Sequence, residues 1–170
     1  MMMSILQKLM QEISEDNIES TLTEEFLHKY NLWIEDGGAT TINGFKKLPK
    51  EEQEFLLDYL NDLSVYERIT VNNQNYILVH SLPDNLQNGN DLNYQIEEII
   101  FGRPDFTASW NQEDIYIIGH TPTFKIPGAE SGKIYRRNNL IDIDCGCVTG
   151  HALCAYCIDT GETFYEPFFV

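Results

Sequence analysis

Apolar residues recur at helical spacing in the first third of the chain, then crowd into short runs between turn residues. Met2, Ile5, Leu6, Leu9 and Ile13 fall on one face, so the chain opens inside an amphipathic helix with no N-cap before it. Thr21 and Glu24 form a capping-box pattern ahead of Phe26, Leu27 and Tyr30, predicting a second helix stopped by Asp36-Gly37-Gly38. Pro49 sits where a helix tolerates it, at the first turn, and Phe55, Leu56, Tyr59, Leu60 and Leu63 are then expected to line one face of a third helix. Residues 1–64 thus read as a helical segment.

From residue 65 the period changes. Tyr66–Val71 and Tyr76–Val79 flank Asn72-Asn73-Gln74-Asn75, the signal of a hairpin. The polar stretch SLPDNLQNGND leads to a short helix carrying Ile96, Ile99 and Ile100. Ile115-Tyr116-Ile117-Ile118 is a wholly apolar run, which suits a strand covered on both faces. Beyond Lys133, four β-rich segments alternate with turns: KIYRR, NLIDID, ALCAYCI and TFYEPFF. No repeat, low-complexity tract or linker divides the chain, and its 170 residues are enough for one core.

Charge narrows the partners. Eleven basic residues against 27 acidic give a formal net charge of −16, which repels phosphate backbones and argues against nucleic-acid binding. No apolar run approaches the ~20 residues of a membrane span, so no membrane partner is expected. The N-terminus has neither a basic region nor a continuous apolar run, so it is not a secretory signal, and a cytoplasmic location is expected.

Two histidines hold matching places, His80 after the run YILV and His120 after IYIIG. Both would sit at the carboxyl end of a buried strand, where α/β sheets place their ligand crevice. One strand-end histidine alone is more often a packing residue than a functional one; the parallel placement of two makes them candidates. CGCVTGHALCAYC, from Cys145 to Cys157, offers other chemistry: a zinc site, a redox pair or sulfur packed in strands. Cys154 and Cys157, three apart on a strand, would point to opposite faces and cannot chelate one ion without a local turn.

The segment Gly119-His120-Thr121-Pro122 resembles the GHTP signature of calcineurin-like metallophosphoesterases, in particular the bacterial and phage phosphatases related to eukaryotic serine/threonine protein phosphatases. Other elements follow the family's order along nearly the whole chain. WIEDGGATTINGF, Trp33 to Phe45, resembles its W-x-x-N-G-G-x-x-T segment, with Gly37, Gly38 and Thr41 in register. Val79-His80 resembles V-H-A-G, Phe101-Gly102-Arg103 its aromatic-x-Arg element, and IDIDCGCVTGHALCAY its I-D-T-G-C-V-x-G-G-x-L-x-A strand pair. The resemblance implies an α/β fold: the C-terminal portion of a calcineurin-like β-sandwich flanked by helices, with residues 1–64 as an N-terminal helical cap segment and 65–170 as a mixed β-sheet half carrying the histidines. It also makes the cysteines packing residues, because Cys147 falls where the family often carries cysteine.

Two divalent metal ions serve the resembling enzymes, manganese foremost with iron, zinc or nickel as alternatives; they polarise a phosphate ester and supply the attacking water. His80 and His120 match ligands of the second metal. Arg103 matches a residue that grips phosphate oxygens with its planar fork; an ion pair with Asp105 is its structural alternative. The departures are as informative. G-D-x-H-G, G-D-x-x-D-R-G and G-N-H-E, which hold the first metal, the bridging carboxylate and the general acid, occur nowhere in the chain. Asp36 replaces asparagine, Ser81-Leu82 replaces Ala-Gly, and His151 replaces glycine. Met1-Met2-Met3 looks like the start of the helix that follows G-N-H-E in the family. The expectation is therefore a chain begun too late or truncated and inactive alone, its open sheet covered by the missing N-terminal half or by a partner. The intact enzyme is expected to hydrolyse phosphoproteins, with dinucleoside polyphosphates as the alternative nucleotide substrate. A non-catalytic binding protein, either a degenerate phosphatase half or a zinc module, is the alternative from another class.

Overall fold

The computed structural model describes Leu6 and residues 23–84, 96–108 and 113–168. The chain divides into two compact units, Met1–Leu63 and Ser64–Val170. Among the described residues no helix is long and apolar enough to cross a membrane. The architecture is mixed α/β.

The described part of the first unit is helical. Helix α1, Glu24–Trp33, is capped by Thr23, whose hydroxyl accepts the Phe26 N–H at 3.2 Å, with Glu24 and Glu25 beside the positive end of the helix dipole. The cap thus lies two residues later than the expected Thr21, which is outside the described residues, as is all of the first expected helix except Leu6. Asp36-Gly37-Gly38 does not stop the chain. It bends over Ile34–Gly38, with Gly37 at φ +91°, and continues directly as α2, Ala39–Phe45. Gly38 is required there, since a Cβ would meet the Trp33 carbonyl oxygen at 2.6 Å and its indole at 2.7 Å.

Helix α3, Lys50–Asn61, starts at Pro49 as its sequence implies. Its buried side is a correction. Leu57 joins Leu6 and Phe45 in the core, with Leu56 and Leu60 packed beside them, whereas Phe55 is 74% exposed and Tyr59 56%. At about 100° per residue, Leu56, Leu60 and Leu57 span one arc, and Phe55 and Tyr59 lie beyond its edge. The apolar stripe is wider than the core it meets.

The second unit holds a five-stranded sheet in the order β1-β2-β3-β5-β4, and a separate two-stranded sheet, β6-β7. Strands β1, Tyr66–Val71, and β2, Gln74–Val79, form the expected hairpin. Its two-residue turn has Asn72 at φ +51° and Asn73 at φ +62°, the left-handed pair that a primed turn demands and asparagine tolerates. Strand β3, Ile115–Ile118, runs parallel to β2 on one side and to β5, Leu140–Asp142, on the other. Strand β4, Tyr135–Arg137, closes that edge antiparallel to β5.

Alternation sends Ile77, Val79, Tyr116, Ile118 and Leu140 to one face, packed with Leu82 and Ile99 of the short helix α4, Ile96–Phe101. Tyr76, Ile117 and Ile141 face the other way, against Tyr156 and Ile158 at the end of β6, Ala152–Tyr156. Strand β7, Thr163–Pro167, pairs with β6. The apolar run at β3 is therefore covered on both faces, as its sequence implies.

Candidate functional site

Parallel β2 and β3 end side by side, which brings together residues 40 positions apart. His80 follows β2, and its carbonyl accepts the Gly119 N–H at 3.0 Å, tying the exits of the two strands. His120 stands at the apex of a tight turn closed by Thr121 N–H to Gly119 O at 2.8 Å, in the left-handed region at φ +69°. A non-glycine residue is strained there and persists only where its surroundings fix it. The His80 Nε2 and His120 Nδ1 atoms lie 3.2 Å apart, with ring centroids at 5.0 Å. Phe101 presents a third ring, 6.4 Å from His120.

Arg103 comes to the same place on a loop fixed by tight packing. A Cβ on Gly102 would lie 2.2 Å from the Leu82 carbonyl oxygen and 2.4 Å from that of Glu98, so only glycine fits. The Ser81 hydroxyl donates to Gly102 O, and the Arg103 N–H donates to the Asp84 carboxylate at 2.6 Å. The loop after His80 thus holds the loop of Arg103. The Asp105 carboxylate turns instead to the Thr107 N–H and hydroxyl, at 2.8 and 2.6 Å. The arginine's charge reaches His120, whose pKa is lowered by burial first and then by the positive charges of His80, Arg103 and Lys125, against an opposing pull from Asp144. The shift favours the neutral imidazole at His120, the form that can ligate a cation.

The sequence reading assigned no role to Asp142 and Asp144. Asp142 is fully buried beside Ile118 in the sheet; its Oδ1 accepts the Asp144 N–H at 2.9 Å, and its Oδ2 has no hydrogen-bond partner. Burial, with the Asp144 charge adding, pushes its carboxyl up to about 8. Asp144 in turn accepts the Gly146 N–H at 3.0 Å, and its carbonyl accepts from Thr123 of the loop after His120. The I-D-I-D repeat was the available signal: read as one strand, its alternation would put both carboxyls on one face beside β3, although β5 ends at Asp142 and Asp144 follows it.

The cysteines do not converge. Cys145 and Cys154 touch, and burial raises both thiols, Cys145 to about 12. Cys147 opens a 3-10 turn, while Cys157 follows β6 and lies against Thr160. Only Cys154 is a strand residue; Cys157, expected on the same strand, lies just past its end. Among the described residues no group of three or more His, Cys, Asp or Glu side chains could hold a metal ion.

Nitrogens that each bind one cation at about 2.1 Å stand about 3.0–3.4 Å apart for ligand angles from 90° to tetrahedral. The observed 3.2 Å falls in that range, so the pair fits as two of a cation's ligands. No protein-family model matches the chain, and no curated protein matches it.

Proposed function

We propose that the chain carries one half of a di-metal phosphoesterase site, in a C-terminal portion of a calcineurin-like β-sandwich. His80 and His120 hold one divalent cation and Arg103 grips the phosphate. The observation that carries this reading is the approach of two imidazoles to 3.2 Å at the ends of parallel strands, with the Arg103 charge acting on one of them. When bound, the metal pair supplies charge to polarise the ester and activates the attacking water. This chain's own part is to present two imidazole nitrogens side by side, to hold Arg103 on a loop braced by Gly102 and Asp84, and to aim its fork at phosphate oxygens. The other ligands come from residues outside this chain, and the substrate class favoured for the whole enzyme is a serine or threonine phosphoprotein.

The test is hydrolysis of p-nitrophenyl phosphate with manganese, by the chain alone and by the chain joined to an upstream segment carrying the three absent motifs. The joined protein is expected to turn over and the chain alone is not. His120→Ala is expected to abolish that turnover with loss of metal. A folded joined protein without activity, or full activity in both His120→Ala and Arg103→Ala, overturns the reading. The absence of a three-ligand group among the described residues favours a second reading, a phosphate-binding module without catalysis, in which Arg103 still binds phosphate but no metal is retained.

A further inference from the structure

A second concentration of hydrogen-bond donors shares no lining residue with the histidine pair. Ser131, Gly132 and Lys133, on the approach to β4, meet His151 at the start of β6 and Tyr165 and Pro167 of β7 around an open cleft of about 350 Å³. In a chain of net charge −16, no aspartate or glutamate is among the residues lining it. Lys133, Tyr165 and His151 are held in place. The Lys133 ammonium lies over the Tyr165 ring, 4.0 Å from its centroid, an arrangement that fixes the cation without neutralising it. The Tyr165 oxygen accepts the Ile134 N–H at 3.3 Å, which orients the phenol and leaves its own proton to donate. The His151 ring rests on Phe124, centroids 4.4 Å apart.

We propose that this cleft is a binding site for a phosphate dianion, free or as the head of a phosphate monoester. An ammonium, two hydroxyls and an imidazole, arriving from three segments, can serve three oxygens of a tetrahedral anion. A planar carboxylate offers only two. The cleft is several times larger than one phosphate group, and the Tyr165 ring and Pro167 give its remainder an apolar wall for an ester substituent. This site is independent of the phosphoesterase reading, since none of its lining residues is His80, Arg103 or His120.

The experiment is a titration of the isotope-labelled full chain with inorganic phosphate, phenyl phosphate and acetate, followed through backbone amide shifts. Saturable shifts are expected at Gly132, Lys133 and His151 with both phosphates and not with acetate. Tighter binding of phenyl phosphate assigns the site to monoesters, and equal binding assigns it to free phosphate. Lys133→Gln is expected to weaken binding about tenfold or more, and Ser131→Ala by a few fold, with the amide spectrum elsewhere reporting an intact fold. Arg103→Gln should leave these shifts unchanged even if the histidine pair proves to bind no metal. The proposal is overturned by the absence of saturable shifts, by acetate binding as well as phosphate, by shifts confined to the neighbourhood of Arg103 and His120, or by wild-type affinity in both Lys133→Gln and Ser131→Ala.

Discussion

Two residues carry strain or charge that single substitutions can measure. His120 at φ +69° favours glycine, so His120→Gly should be more stable than His120→Ala by about 1 kcal/mol, although both remove the imidazole. Thermal unfolding of the two variants measures that gap; equal stability would mean that the turn relaxes away from the left-handed region. Asp142 supplies a pH dependence. Its carboxyl rises from 3.8 to about 8 on folding, so between these values the folded state keeps a proton that the unfolded state has lost. Stability contributed by this group is therefore full below pH 3.8 and falls as pH rises towards 8, by up to about 1.4 kcal/mol per pH unit. Asp142→Asn removes the titration and should gain stability over the wild type, on the order of 1–3 kcal/mol, at pH 8 relative to pH 5. Urea unfolding at both pH values checks it, and a difference that does not change with pH sinks it. The histidine pair was legible because both residues end apolar runs of the same length and kind. Asp142 was not, since nothing in an I-D-I-D string says which carboxyl the sheet will bury.

At the scale of elements, the sequence was most informative where local chemistry and packing agree. The Asn72-Asn73 turn and Pro49 before α3 each satisfy a backbone requirement at an exposed position, the apolar run of β3 satisfies a burial requirement, and all three form where expected. Phe55 and Tyr59 misled because helical spacing defines a stripe, while the width of the facing core decides how much of it is buried. Asp36-Gly37-Gly38 misled in another way. A glycine pair can end a helix or bend it, and here close contact between Trp33 and Gly38 selects the bend. The loop that carries Arg103 shows what spacing cannot reveal, because its position depends on Gly102 meeting Leu82 and Glu98. Gly102→Ala should therefore cost about 2–4 kcal/mol and displace Arg103, whereas Gly44→Ala, with nothing near its added Cβ, should be neutral or slightly stabilising. Chemical denaturation of the two variants is the measurement, and a harmless Gly102→Ala would remove the account of how the arginine is held.

At the scale of the whole molecule, two opposing forces act on its surface. The hairpin of β6 and β7 turns Leu153 and Phe164, 60% and 57% exposed, towards solvent on the face that Ala155 and Glu166 share. Both of its strands are edges of a two-stranded sheet, so apolar surface and unpaired backbone groups are offered together. Against this stands the net charge of −16, which keeps copies apart at low ionic strength. Salt screens the repulsion over about 10 Å at 0.1 M but leaves the apolar attraction intact. Association of the full chain should therefore increase with sodium chloride, the opposite of what a charge-paired interface would do. Replacing Leu153 and Phe164 together by threonine keeps strand propensity and removes most of the apolar area, and this variant should remain monomeric across the same salt range. Sedimentation velocity at low and high salt decides it. A wild-type chain that stays monomeric at high salt, or a double variant that associates as the wild type does, would show that this face is not what draws copies together.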